Sequence, residues 1–318
     1  MPDAFETTSA WFDARTYRAD RFTAASLASA KNGRRISILI PAKNEEATVG
    51  AIVEALRAEL VDQVSLIDEI VVLDSHSTDE TSRVATEAGA MVVHVDDVLP
   101  DLGSRTGKGE AMWKALAVMT GDIGIYLDAD VQDFTADFVV GLLGPLLTDD
   151  DLVFVKGFYD RPWSSGTGRS SGGGRVTELV ARPLILDRAP LLAGFVQPLA
   201  GECAFRVDSL RAIPFVSDYG VDIGLMIDVL RVHGLEAMAQ VDLGERLHRH
   251  QDLAALSAMT QHVRAAFDLR VEPDGRDAVE STATVFRRDG DTMRMVERTT
   301  TTVLRPPMDE VLGRSRPS

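Results

Sequence analysis

A single cysteine, Cys203, occurs in 318 residues. One thiol cannot build an intramolecular disulfide framework, and its scarcity points to a reducing compartment. Basic charge is also short: 33 Lys and Arg stand against 49 Asp and Glu, a net charge of −16. A surface that acidic repels nucleic acid and anionic lipid unless a local basic stripe offsets it. The nearest candidates, Arg34-Arg35 and Arg287-Arg288, are only pairs, so neither nucleic acid nor a membrane is expected as a partner. Long apolar runs are missing too. The densest block, Leu142 to Leu147, is interrupted by Gly144 and Pro145, far short of the roughly 20 apolar residues of a spanning helix. The opening MPDAFETTSA carries acids and no apolar centre, unlike a secretory signal. What is present is 45% hydrophobic and 26% charged residues, ample for a packed core. The expectation is an acidic, enzyme-sized, cytoplasmic protein.

Residues 1–35 are polar and aperiodic up to the turn-like Asn32-Gly33 and read as an N-terminal extension. Alternation follows. Ile36 to Ile40 and Glu69 to Asp74 are short apolar runs, strands buried on both faces. Thr48 to Leu60 carries Val49, Ile52, Val53 and Leu56 at helical spacing, and Ser77 with Glu80 reads as a capping box opening a helix that runs to Gly89. Ala90 to Val95 is a third strand, Gly107 to Thr120 a helix, and Ile123 to Leu127 a fourth strand. Strand and helix in turn with short connectors predict an α/β fold, a mainly parallel sheet flanked by helices. Its ligand belongs beyond the carboxyl ends of the strands.

Beyond residue 150 the pattern changes. Leu152 to Phe158 reads as a strand, Asp160 to Gly174 as a Gly- and Ser-rich loop, and Arg175 to Leu186, Val221 to Val232 and Leu253 to Leu269 as helices. Ala278 to Leu304, rich in Thr and Val around Asp289-Gly290-Asp291, predicts a hairpin. This divides the chain into the extension 1–35, a first α/β half 36–150, a second half 151–252, and a C-terminal helix and hairpin 253–318.

Asp128-Ala129-Asp130 directly follows the apolar strand. Two carboxylates one residue apart at a strand end can hold a hard divalent cation that also binds phosphate oxygens, or can simply form a turn. The first strand ends in Pro41-Ala42-Lys43-Asn44-Glu45-Glu46 and the second in Asp74-Ser75-His76-Ser77-Thr78-Asp79. Three parallel strands thus bring Glu45, Asp74, Ser75, Asp128 and Asp130 to one edge, which suits a nucleotide with a metal for its diphosphate. Gly107-Lys108-Gly109-Glu110 opens a helix whose N-terminus and lysine favour an anion, although a lysine there can equally be surface charge. The preceding residues do not form a Walker loop.

These motifs in order, Ile-Pro-Ala-Lys-Asn-Glu-Glu, Leu-Asp-Ser-His-Ser-Thr-Asp, Gly-Lys-Gly-Glu-Ala and Asp-Ala-Asp, resemble the nucleotide-sugar half of GT-A glycosyltransferases. The second half narrows the match. Gly172-Gly173-Gly174-Arg175-Val176-Thr177-Glu178-Leu179, Gln197-Pro198-Leu199-Ala200-Gly201-Glu202, Tyr219-Gly220-Val221-Asp222-Ile223-Gly224, His248-Arg249-His250 and Arg305-Pro306-Pro307-Met308 resemble the glucosyl-3-phosphoglycerate synthase family. The resemblance spans roughly residues 36 to 308.

It implies a GT-A (Rossmann-like) fold and a metal-dependent, retaining transfer of glucose from UDP-glucose to the 2-hydroxyl of 3-phosphoglycerate. It also implies that Pro41, Ala42, Lys43, Asn44, Glu45, Ser75 and Lys108 bind uridine and diphosphate, and that Asp128 and Ala129 face the nucleotide sugar. Asp130 and His248 are the implied protein ligands of Mg²⁺ or Mn²⁺, a donor set of carboxylate and imidazole that is chemically sound. Leu199, through its carbonyl, Tyr219 and Asp222 are implied at the donor sugar. Gly174, Arg175, Val176, Thr177 and His250 are implied at the acceptor, where backbone N–H groups, an Arg fork and a hydroxyl suit a phosphate. Glu202 reads either as a polar wall of the site or as a strand start. Asp130, Lys108 and Asp222 are the expected catalytic residues. The family forms homodimers, which assigns the hairpin and Arg305 to Met308 to subunit contacts, with solvated charge as the other reading.

Two positions depart from the family pattern: Asp222 replaces Glu, and His250 replaces an Asn that contacts the acceptor. A carboxylate shorter by one methylene shifts a sugar contact by about one bond length. The alternatives are a mannosyl-3-phosphoglycerate synthase using a GDP-sugar, a sugar nucleotidyltransferase, and a non-catalytic sugar-nucleotide sensor.

Overall fold

The structure, a computed structural model, describes residues 4–160, 174–245, 253–271 and 273–314. Eleven strands lie among them: β1 (Thr16–Arg18), β2 (Ile36–Ala42), β3 (Glu69–Asp74), β4 (Met91–His94), β5 (Ile123–Tyr126), β6 (Phe154–Asp160), β7 (Cys203–Arg206), β8 (Phe215–Val216), β9 (Met238–Glu245), β10 (Ala278–Asp289) and β11 (Thr292–Arg305). Eight form one sheet in the order β1-β9-β6-β7-β5-β2-β3-β4. All its pairings are parallel except those of β7, which runs antiparallel to β5 and β6. The mixed, mainly parallel sheet of the GT-A expectation is therefore present.

Period-two alternation explains why the central strands read as unbroken apolar runs. In β2, Ile36, Ile38 and Ile40 join one core layer and Leu39 the other; in β3, Ile70 and Val72 oppose Val71 and Leu73 in the same way. Each such side chain, buried in full, contributes about 1.5–3 kcal/mol. The helix Val49–Leu56 covers one face through Val49, Ile52, Val53 and Leu56, whereas Lys108–Val118 covers the other through Ala111, Met112, Trp113, Ala115 and Leu116. The chain steps outward from β2 to β3 to β4, then returns through Lys108–Val118 to place β5 on the opposite side of β2. The strand order reverses between β2 and β5, and at such a switch point ligands bind beyond the carboxyl ends of the strands.

The N-terminal segment differs from the expected extension. Ala4–Arg15 is a helix, and β1 pairs with β9 through Thr16 to Gln240 and Arg18 to Asp242, forming the edge of the main sheet. Trp11 is 1% exposed, stacks 4.4 Å from Phe195, and donates Nε1–H to the Met238 carbonyl at 3.0 Å. One large aromatic anchors this segment, with no stripe to announce it.

The predicted hairpin is present as β10 and β11, and β11 also pairs with β8. Arg305 to Met308 packs within this same chain, where Trp113 Nε1 donates to the Pro306 carbonyl at 2.8 Å and Met308 is fully buried. Likewise Ser77 and Glu80 form no capping box. The helix Thr81–Glu87 has no side-chain cap, because Ser77 Oγ accepts from Asn44 N and Glu80 N donates to Glu46. Among the described residues no helix is long and apolar enough to cross a membrane.

Candidate active site

The loops after β2 and β3 are laced together. Asn44, in the left-handed region at φ 58°, accepts at Oδ1 from Thr78 N at 2.8 Å, Glu45 N donates to Thr81 Oγ1 at 2.8 Å, and Glu46 N donates to Asp79 at 3.2 Å. Asp74 is turned into this network, accepting from Ser77 N at 2.8 Å and from Ser82 Oγ. Burial works against its charge, but the hydroxyl and amide donors and the nearby His94 imidazole outweigh it and hold the carboxyl below its usual range. Asp74 therefore shapes the loop. Pro41 is half-buried, Ala42 and Ser75 are buried, and Lys43 and Asn44 are exposed at this rim. Thr48 Oγ1 donates to the Ala129 carbonyl at 2.6 Å, which fastens the β2 loop to Asp128-Ala129-Asp130 after β5.

Lys108 begins its helix after Gly107, whose φ of 112° suits glycine. Its ammonium lies 2.9 Å from Asp128 Oδ1 and 3.3 Å from Asp222 Oδ2. Burial opposes the charge, yet the two carboxylates outweigh it and raise the pKa above that of a free lysine. Asp222, in the first turn of Val221–His233 and 5% exposed, receives a second ammonium: Lys156 Nζ is 3.2 Å from its Oδ1. Lys156 is 1% exposed in the middle of β6. Two cations and two anions so alternate from Lys156 through Asp222 and Lys108 to Asp128. Asp128 also rests on Gly201, where a Cβ would fall 2.1 Å from its Oδ1.

Asp130 is half-buried beside this row, and the charges of Asp128 and Asp130 both reach Tyr219, an exposed ring. Leu199 is half-buried against the core, and Glu202 is buried at the threshold of β7. Gly174, exposed Arg175 and buried Val176 and Thr177 open a helical segment, with the Gly174 carbonyl accepting from Glu178 N at 3.0 Å. The strand directions place the carboxyl ends of β6 and β9 on the same sheet edge as those of β2, β3 and β5. Gly172, Gly173, His248 and His250 lie outside the described residues.

The motifs single out Lys108, Asp128 and Asp222 but not Lys156. The available signal was a lysine inside the apolar run Phe154-Val155-Lys156-Gly157-Phe158, since a charge buried at that place needs a partner. Among the described residues no cluster of three or more His, Cys, Asp or Glu gathers to hold a metal. Asp130 supplies one carboxylate beside an edge suited to phosphate, and Mg²⁺ binds through one or two carboxylates plus substrate phosphates. The residues fit such an ion.

The sheet that reverses strand order at an acidic strand end, with a lysine between two aspartates there, has the arrangement of a GT-A glycosyltransferase. The profile of Glycosyl transferase family 2 matches residues 37–195. Glucosyl-3-phosphoglycerate synthase of Mycolicibacterium smegmatis is 44% identical over 94% of this chain and 97% of its own. Mannosyl-3-phosphoglycerate synthase from Rubrobacter xylanophilus superposes with a TM-score of 0.86 at 40% identity, covering 96% of this chain and 98% of that one. Glucosyl-3-phosphoglycerate synthase from Mycobacterium tuberculosis, in complex with Mn²⁺, UDP-glucose and phosphoglyceric acid, superposes with a TM-score of 0.78 at 40% identity over 91% of this chain and 95% of that one. The chain belongs to Glycosyl transferase family 2 and, within it, to the glucosyl-3-phosphoglycerate synthases.

Proposed function

We propose that the protein transfers glucose from UDP-glucose to the 2-hydroxyl of 3-phosphoglycerate with retention of configuration, giving glucosyl-3-phosphoglycerate. The observation that carries this reading is Lys108 held between Asp128 and Asp222 at the switch point. Pro41 to Glu45 and Ser75 receive the uridine, and Lys108 receives the diphosphate, where its charge counters the negative charge that develops on departure. Asp130 with His248 holds Mg²⁺ or Mn²⁺, which when bound supplies Lewis-acid stabilisation of the diphosphate. Asp222, Tyr219 and the Leu199 carbonyl orient the hexose. Gly174, Arg175, Val176 and Thr177, with His250, bind the acceptor's phosphate and carboxylate. No obvious nucleophile emerges from the sequence. The bond from C1 to the diphosphate breaks as the acceptor 2-oxygen bonds C1 from the same face, and the hydroxyl proton passes to the leaving phosphate oxygen.

Mannosyl transfer from GDP-mannose is the second reading, favoured by the high similarity to the Rubrobacter enzyme and by the short Asp222 carboxylate. Assay of both donors with 3-phosphoglycerate and Mn²⁺ decides between them. UDP-glucose is expected to be turned over and GDP-mannose not; the reverse result overturns the donor assignment. Asp130→Ala is expected to abolish turnover, and metal-independent transfer by that variant contradicts the role given to Asp130.

A cytoplasmic location fits the one thiol, Cys203, which is buried and pushed up to about 11 by that burial. A homodimer fits the hairpin, where Phe286 and Met295 are 65% and 71% exposed and sit opposite each other in the register.

A further inference from the structure

We infer that Lys156 is a positioning residue, the standing counter-ion of Asp222, which frees Lys108 to leave that carboxylate for the diphosphate of the donor. This rests on the nucleotide-sugar reading of the site. In the structure Lys108 faces Asp128 at 2.9 Å and Asp222 at 3.3 Å, which leaves one of its three ammonium donors, so grasping a diphosphate with more than one donor means loosening its hold on a carboxylate. Asp222 is 5% exposed, and a buried carboxylate stripped of its cation is strongly disfavoured. Lys156 removes that obstacle. It approaches from β6, on the opposite carboxylate oxygen, at 3.2 Å. It is 1% exposed, carries no second carboxylate among the described ion pairs, and sits on an inner strand paired on both sides. When Lys108 turns to the donor, Asp222 stays paired and stays pointed at the place where the hexose binds.

The test is a double-mutant cycle read by calorimetric titration of UDP in the presence of Mn²⁺, with turnover as a second reading. Lys156→Met leaves Asp222 dependent on Lys108. UDP affinity is expected to fall about tenfold or more, and kcat with UDP-glucose about 100-fold, the scale of a misplaced group. Lys156→Arg keeps the charge and is expected to recover most of the UDP affinity. In the Asp222→Asn background Lys108 has no competing carboxylate there, so adding Lys156→Met is expected to leave UDP affinity unchanged. The double variant removes both charges and is the safer of the two to fold. If Lys156→Met itself fails to fold, the comparison of Asp222→Asn with the double variant still decides: a further loss of UDP affinity shows a merely structural lysine and overturns the inference. An unaltered UDP affinity in folded Lys156→Met overturns it as well. Failure of the unmutated protein to bind UDP with Mn²⁺ is a different result, and sinks the nucleotide-sugar reading itself.

Discussion

Arg305 closes on Glu110, 195 positions earlier in the chain, with both prongs of its guanidinium, Nη2 to Oε1 at 2.6 Å and Nε to Oε2 at 2.8 Å. Glu110 is fully buried two residues after Lys108, and Arg305 also donates to the Leu102 and Gly103 carbonyls and lies over the Trp113 ring at 4.9 Å. The C-terminal segment thereby clamps the start of the helix that carries Lys108. Breaking one side leaves a buried carboxylate alone except for Lys114 at 3.7 Å. Arg305→Ala is expected to destabilise the fold by about 3–5 kcal/mol, and the pair Arg305→Met with Glu110→Gln by clearly less. Denaturant titration measures both; equal losses would show that the pair adds nothing beyond packing.

Asp218 titrates where a carboxylate ordinarily does not. Burial raises its pKa to about 6, the charge of Glu110 adds to the effect, and Lys43 partly opposes it. A carboxyl raised in the folded state favours folding when protonated. That contribution is complete below the unfolded value near pH 4 and is lost as pH rises through about 6. Asn holds the same shape without the charge and accepts the left-handed backbone found here at φ 60°. Asp218→Asn is therefore expected to exceed the parent in stability by on the order of 2 kcal/mol at pH 7–8 and to match it at pH 4 and below. Thermal midpoints across that range check it, and a constant difference at all pH values would contradict it.

Part of the site was legible in the sequence for a physical reason. Strands buried on both faces print continuous Ile, Val and Leu, so β2, β3 and β5 stand out, and the polar residues at their ends mark the crevice. Lys108, Asp128 and Asp222, each in a motif visible in the sequence, lie side by side. Lys156 is marked only by its place inside an apolar run, and nothing in that run names its partner, which lies 66 residues away. The Ala4–Arg15 helix hides for a related reason: apart from Trp11, only Thr8 is buried, so no apolar stripe forms. Ser77 and Glu80 mislead because Asn44 and Glu46, brought by a different strand, take the hydrogen bonds that a local cap would use.

Gly201 is fixed by its neighbour rather than by its own backbone. An added Cβ would lie 2.1 Å and 2.3 Å from the two carboxylate oxygens of Asp128, so that side chain must move away and loosen its hold on Lys108. Gly201→Ala is expected to lower kcat/KM for UDP-glucose by about 100-fold, as a displacement of about 1 Å can. The thermal midpoint is expected to change little by comparison. Steady-state kinetics beside a melting curve separates the two, and near-normal kinetics in the variant would show that Asp128 has room to spare.

The proposed homodimer would use the exposed face of the hairpin. Its register sets Phe286 opposite Met295 and Arg288 opposite Met293, all on one face of a two-stranded ribbon, and Phe286, Met293 and Met295 are well exposed. Period-two alternation makes these pairs neighbours on that face. An apolar patch of this kind on an otherwise acidic surface suits a self-complementary contact about a twofold axis. Met295→Lys combined with Phe286→Lys puts like charges face to face in such a contact. Because both positions are exposed, the fold itself is expected to lose no more than about 0.5 kcal/mol per substitution. Light scattering after size exclusion is expected to give a dimer for the parent and a monomer for the double variant. A parent that runs as a monomer, or a double variant that remains dimeric, would place subunit contact elsewhere or nowhere on the hairpin.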